Sequence, residues 1–222
     1  MYRWHSLWKI DLNGPKHVMD MCQITPSEVA VALEKNASNT HNVQFITVTQ
    51  SQLTLGRKLE LQHGCTGIAC HQGELFICSK TALFKYTLYG KQLCRLYEDR
   101  SSDYTVHRCA VSPTGDRLYI ISWDQNKLHT LARDVTLLAT YTDRALRSPR
   151  GLHVTPAGQV LVCGGRSNTV LQVGWEGQSK LANLATLKDG VKWPQSVCYS
   201  STTSSIIVGL LGDDNILVFR VE

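Results

Sequence analysis

Arg108-Cys109-Ala110-Val111-Ser112-Pro113-Thr114-Gly115-Asp116-Arg117-Leu118-Tyr119-Ile120-Ile121 and Arg150-Gly151-Leu152-His153-Val154-Thr155-Pro156-Ala157-Gly158-Gln159-Val160-Leu161-Val162-Cys163 share one layout. Each is a short apolar strand, a Pro/Gly turn and a second apolar strand. Each runs on through a polar turn holding Asn126 or Asn168 into a third strand near Leu128 or Val170. A fourth segment follows, Thr136 to Tyr141 in one copy and Leu181 to Leu187 in the other.

The same layout recurs in weaker spelling along the chain. Second strands centre on Val29, Leu75, Leu118, Val160 and Ile206, spaced by 46, 43, 42 and 46 residues. Third strands follow near Val43, Leu83, Leu128, Val170 and Ile216. A repeat of about 40–50 residues holding four short strands is the signature of a propeller blade. One such sheet exposes two faces and cannot bury them alone, so neighbouring blades must cover them. The sequence therefore predicts an all-β fold, a β-propeller of about five four-stranded blades in a single domain over 1–222. The repeats fall near 15–62, 63–104, 105–146, 147–190 and 191–222.

The two ends differ from the middle. The last unit has three strands and lacks a fourth, while Ser6–Leu12 reads as a lone strand before the first unit. Residues 1–14 are thus expected to form the outer strand of a missing or closing blade. Two readings follow: a complete five-bladed ring clasped by residues 6–12, or a six-bladed ring truncated at its N-terminus. The second is preferred, because Leu7–Leu12 also suits the outer strand of a preceding blade.

The units at 108–120 and 149–163, with Asn126-Lys127-Leu128 and Asn168-Thr169-Val170 after them, resemble NHL repeats. The chain looks like the C-terminal propeller of tripartite-motif proteins of invertebrates. In that family a RING finger, B-boxes and a coiled coil precede the propeller, which binds protein or RNA while the RING transfers ubiquitin. The resemblance implies a recognition module, such as the substrate-binding part of a ubiquitin ligase. This sequence holds no Cys-x-x-Cys pair, no zinc-finger ladder and no heptad run. Ligase chemistry would need a RING domain that these residues do not contain.

Composition limits the alternatives. Of 222 residues 43% are hydrophobic and 18% charged, typical of a folded globular protein. The first twenty residues contain no apolar core suited to secretion, and no stretch reaches the ~18 apolar residues of a membrane span. A cytoplasmic protein without membrane partners is the expectation. The eight cysteines are dispersed singly, which favours reduced and mostly buried thiols over bridges. A formal charge of +5 permits an anionic partner without demanding one.

Catalytic signatures are missing: no His-Glu-x-x-His, no Gly-x-Ser-x-Gly and no phosphate-binding Gly-x-x-x-x-Gly-Lys-Ser/Thr. The chain is read as a non-enzyme without cofactor or metal, a metal-dependent propeller enzyme of lyase or lactonase type being the remote alternative. The run His63-Gly64-Cys65-Thr66-Gly67-Ile68-Ala69-Cys70-His71 offers zinc ligands, but Cys65 and Cys70 would lie about 16 Å apart along a strand. Cys22, Ala69, Val111, His153 and Cys198 occupy one first-strand register, read as buried. Gly164-Gly165-Arg166-Ser167-Asn168 reads as a structural turn, and Asp213-Asp214 as turn chemistry.

The NHL resemblance implies a binding face made by loops leading into first strands and loops joining second to third strands. The first set gives His17, His107, Arg108, Arg147, Arg150, Lys192 and Trp193; the second gives Lys35, Lys80, Trp123, Arg166 and Asp213. Cations with interleaved indoles suit a protein interface, the favoured reading. They also suit single-stranded RNA in post-transcriptional regulation, through phosphate pairing and base stacking. No DNA partner is expected.

Overall fold

The computed structural model describes residues 17–35, 40–50 and 52–221. Apart from a 3-10 turn at Leu187–Asp189, its regular structure is entirely β. Five antiparallel sheets follow one another, each with its strands adjacent in chain order. The first holds β1 (His17–Thr25), β2 (Glu28–Lys35), β3 (Thr40–Val48) and β4 (Leu53–Leu61). The second holds β5 (Gly67–His71), β6 (Glu74–Ser79), β7 (Ala82–Thr87) and β8 (Gln92–Glu98). The third holds β9 (Arg108–Val111), β10 (Arg117–Ser122), β11 (Lys127–Ala132) and β12 (Leu137–Tyr141). The fourth holds β13 (Pro149–Val154), β14 (Val160–Gly164), β15 (Thr169–Val173) and β16 (Lys180–Ala185). The fifth has three strands, β17 (Pro194–Ser200), β18 (Ser205–Leu210) and β19 (Ile216–Arg220). These are the blades of a β-propeller. The expected strand at Ser6–Leu12, on which the choice between a five-bladed and a truncated six-bladed ring turns, lies outside the described residues.

Pro/Gly turns set the first hairpin of two blades. In the third blade Gly115, at φ 74°, donates its N–H to Ser112 O at 2.9 Å. In the fourth, Gly158, at φ 83°, donates to Thr155 O at 2.8 Å. Both positions need the left-handed backbone that glycine adopts without cost. The fourth segment of the fourth blade ends earlier than the expected Leu187. Thr186 caps the 3-10 turn instead, its N–H donating to Asp189 Oδ2 at 2.8 Å.

Two compact units, Trp4–Arg100 and Ser101–Glu222, divide the blades two and three. In the first unit Ala30, Val43 and Phe45 of one blade pack with Ile68, Leu75 and Ile77 of the next. In the second unit β14 is buried on both faces. Its Val160 and Val162 join Tyr119, Ile121 and Leu128 of the third blade, while Leu161 and Cys163 join Val197, Ile206 and Val208 of the fifth. Strand geometry alternates side chains between faces, so a strand covered twice must read as the unbroken apolar run Val160-Leu161-Val162-Cys163. Each fully buried side chain of this size contributes about 1.5–3 kcal/mol.

Where the fourth and fifth blades meet, even a methyl group is excluded. A Cβ at Gly151 would lie 2.9 Å from both Cys163 Sγ and Ser196 Cα.

The cysteine register differs from the expectation in one blade. Cys22, Ala69, His153 and Cys198 do share one position, opposite Ala30, Phe76, Leu161 and Ile207. The third-blade equivalent is Ala110, opposite Tyr119, and Val111 is one step off and on the other face. Nor is the position uniformly buried: Ala69 is buried, Cys22 half-buried and Cys198 exposed. Cys198 alternates with Val197, which takes the face packed against the fourth blade.

Candidate functional site

The cations and indoles of the Ser101–Glu222 unit are positioned by a hydrogen-bond pattern repeated in three blades. The loop after each second strand donates a backbone N–H to the loop before that blade's first strand. Trp123 donates to Tyr104 O at 3.0 Å, Gly165 to Ser148 O at 3.1 Å and Leu211 to Trp193 O at 3.0 Å, while Arg166 adds a bond to Arg147 O at 3.0 Å. Trp123, Gly165 and Leu211 are therefore equivalent positions, and Arg166 lies one residue further into its loop. In the fifth blade Asp213 lies in the expected loop, two residues beyond Leu211. Asp213 caps its own turn, accepting from Asn215 N–H at 2.9 Å, which holds its carboxyl below the usual range.

A second bond crosses from each blade to the next. Asn126 Oδ1 accepts from Ser148 N–H at 2.6 Å, and Asn168 Oδ1 accepts from Trp193 N–H at 2.9 Å. All four residues have positive φ, between 47° and 57°. Asparagine tolerates that conformation better than most side chains.

Arg150 stands at the centre. Arg150 and Gly151 face Cys163 as a bulge in β13, and Gln195 is the extra residue of a bulge in β17. Bulges re-aim side chains. From the fourth blade, Arg150 Nη1 donates to Gln195 Oε1 of the fifth at 3.1 Å. Its guanidinium carbon also lies 5.4 Å from the ring centroid of Trp123 in the third. Its stem passes Gly165, where a Cβ would lie 2.9 Å from Ser148 O and 3.4 Å from Arg150 Cδ. Desolvation and the nearby charges of Arg108 and Arg166 lower the Arg150 pKa from its ordinary value.

Arg150 Nε and Trp123 Nε1 are buried without a hydrogen-bond partner. Beside them a cavity of about 240 Å³ is lined by Trp123, Asp124, Asn126, Arg147, Ser148 and Arg166. Asp124 is engaged inward, its Oδ2 accepting from Ser102 Oγ at 2.6 Å and Tyr104 N–H at 2.7 Å.

The other expected rim residues divide. Arg147, Arg166, Lys192 and Trp193 are exposed, and Arg108 and Arg150 are half-buried at the start of their strands. His107 is buried at 7% exposure and edges against Tyr104, ring centroids 5.9 Å apart, so it supports the rim from beneath. Burial, with Arg108 and Arg150 close by, pushes its pKa down to about 3. His17 opens β1 and is exposed, Lys35 ends β2, and Lys80 sits exposed in a turn at φ 52°. These three belong to the other compact unit, Trp4–Arg100. Sequence reasoning missed Asp124, Ser148 and Gln195. Only Asn126 and Asn168 carried a signal, as matching polar turn residues.

The remaining candidates have structural roles. His63 stacks on Phe84 with ring centroids 3.9 Å apart, and its Nε2 bonds Tyr86 Oη at 2.6 Å, while Cys65 is a core residue at 1% exposure. Among the described residues no three His, Cys, Asp or Glu side chains gather as a metal site. His153 is largely desolvated, which lowers its pKa. No helix of the described residues is long and apolar enough to cross a membrane.

No protein-family model matches the chain, and no curated protein sequence does. Solved structures do. A protein of unknown function from Bacteroides caccae superposes with TM-score 0.72 at 11% identity, covering 96% of this chain and 81% of its own. A chain of a nidogen/laminin complex gives TM-score 0.67 at 16% identity, covering 93% and 81%. Virginiamycin B lyase from Staphylococcus aureus gives 0.58 at 9% identity, covering 92% and 84%. At such identities the likeness shows the fold: this chain shares the β-propeller architecture of these proteins and carries its own rim.

Proposed function

We propose that the chain is a non-catalytic interaction module that docks a protein partner on the Trp123/Arg150/Trp193 rim. One observation carries this reading. Arg150 joins loops of three successive blades while its Nε and the indole N–H of Trp123 remain unpaired. A buried donor without an acceptor costs about 1–3 kcal/mol, and a side-chain shift at the rim would bring both donors to the acceptors of a docked partner. Arginine and tryptophan are also the side chains most enriched among interface anchors. Propellers commonly mediate protein association, and one structurally similar chain belongs to a nidogen/laminin complex. A recognition role within a ubiquitin ligase rests on the NHL resemblance alone.

The test is affinity capture from extract of the source tissue, with the wild type, Arg150→Glu and the exposed second-blade variant Tyr89→Ala compared side by side. A partner retained by the wild type and Tyr89→Ala but lost with Arg150→Glu supports the docking rim. Equal retention by all three refutes it.

A further inference from the structure

Resting on that docking reading, we infer that the cavity between Trp123 and Arg166 receives a phosphorylated side chain of the docked protein. It is lined by Arg147 and Arg166 together with Trp123, Asn126 and Ser148. Arg150 lies behind it, against Trp123. Among the described residues, no carboxylate forms an ion pair with Arg147, Arg150 or Arg166. The one acid on the wall, Asp124, has an oxygen committed to Ser102 and Tyr104.

Arg147 and Arg166 thus share one cavity wall with Arg150 close to Arg166, and the single Asp124 carboxylate does not match these three cations in number. Such an arrangement is stabilised by an anion, and most by one of high charge density. A phosphoryl group carries about −1.5 to −2 at neutral pH and offers three strong acceptor oxygens. Guanidinium forks match those oxygens in pairs. A cavity of about 240 Å³ holds a phosphoryl group with a few waters, whose share of liquid volume is about 30 Å³ each. Its lining offers one indole and no series of aromatic platforms for successive bases, which favours a peptide side chain over RNA. The rigid support supplied by Asn126 and Gly165 means that little has to be ordered on binding.

The experiment uses the full chain on an array of nonapeptide pools with a fixed central phosphoserine, serine or glutamate, and a random decanucleotide RNA as a fourth probe. Arg147→Gln, Arg166→Gln and the double variant replace exposed side chains, and thermal melting checks that each still folds. The inference expects the phosphoserine pool to bind at least about tenfold better than the serine and glutamate pools. It also expects that preference to vanish in the double variant while the residual serine-pool signal persists. Glutamate binding as well as phosphoserine, or RNA competing while phosphoserine does not, overturns it. If all peptide pools bind alike and Arg150→Glu abolishes them together, the docking rim stands and the phosphate cavity falls. If Arg150→Glu leaves partner capture untouched while the double variant still removes the phosphoserine preference, the cavity stands and the docking reading falls.

Discussion

Asn126 accepts the backbone N–H of Ser148 at 2.6 Å across the seam between the third and fourth blades, and Asn168 repeats the bond to Trp193 one blade later. The loops of the rim are therefore tied to neighbouring blades and not only to their own strands. Because the asparagines also hold left-handed backbone, each does two jobs that substitution can separate.

Asn126→Gly keeps the backbone conformation and removes the bond, leaving Ser148 N–H unpaired. It is expected to lose about 1–3 kcal/mol, the cost of leaving a buried donor without its acceptor. Asn126→Ala loses the bond and adds the strain of a non-glycine residue at φ 57°. It should therefore be the less stable of the two. Chemical denaturation of both variants checks the order, and Ala equal to or above Gly contradicts it.

Gly151→Ala places a Cβ 2.9 Å from Ser196 Cα and from Cys163 Sγ. The backbone at Ser196 cannot step aside as a flexible side chain would. Overpacking of this kind costs about 1–3 kcal/mol, visible as a lower melting temperature. The double variant Gly151→Ala/Cys163→Ala removes the sulfur clash and should recover part of the loss, in a way that Cys163→Ala alone does not predict.

His107 makes stability depend on pH. Its folded pKa is depressed to about 3, from an ordinary value of 6.5. Between those values the unfolded chain binds a proton that the folded chain does not. The contribution of His107 is therefore complete above about pH 6.5 and is lost as pH falls toward 3, at most about 1.4 kcal/mol per pH unit. Urea unfolding at pH 7 and pH 5 should show a shallower fall for His107→Gln than for the wild type. Parallel lines would disprove the assignment.

Leu171 is fully buried among Tyr119, Val160 and Val162. Leu171→Ala is expected to cost about 2–5 kcal/mol, from lost transfer energy and the cavity left behind. Leu138, 43% exposed on β12, should tolerate the same change within about 0.5 kcal/mol. Calorimetry on the pair measures the contrast directly.

Much of the fold is legible in the amino-acid sequence, because its determinants are local. Gly115 and Gly158 mark the turns, and the doubly buried Val160–Cys163 run marks a covered strand. Features created by packing leave no such mark. Nothing in Ser148-Pro149-Arg150-Gly151 announces a bulge, yet the bulge is what aims Arg150 across three blades. His107 reads as a rim residue from its place before a strand. The pleat turns it inward, as it turns Cys198 outward, and neither side chain's polarity can forecast that. The one-step misplacement of Val111 shows the same weakness, since register in a short strand is fixed by its partner.

Arg150 works through Trp123 and Gln195, so the surface it builds is owned by no single repeat. Copying one unit along the gene would duplicate scaffold without duplicating specificity. Conversely, one codon change in any of three units could retune what is recognised and leave the architecture untouched. Such a division of labour separates the residues that build each blade from those that shape the surface shared among blades.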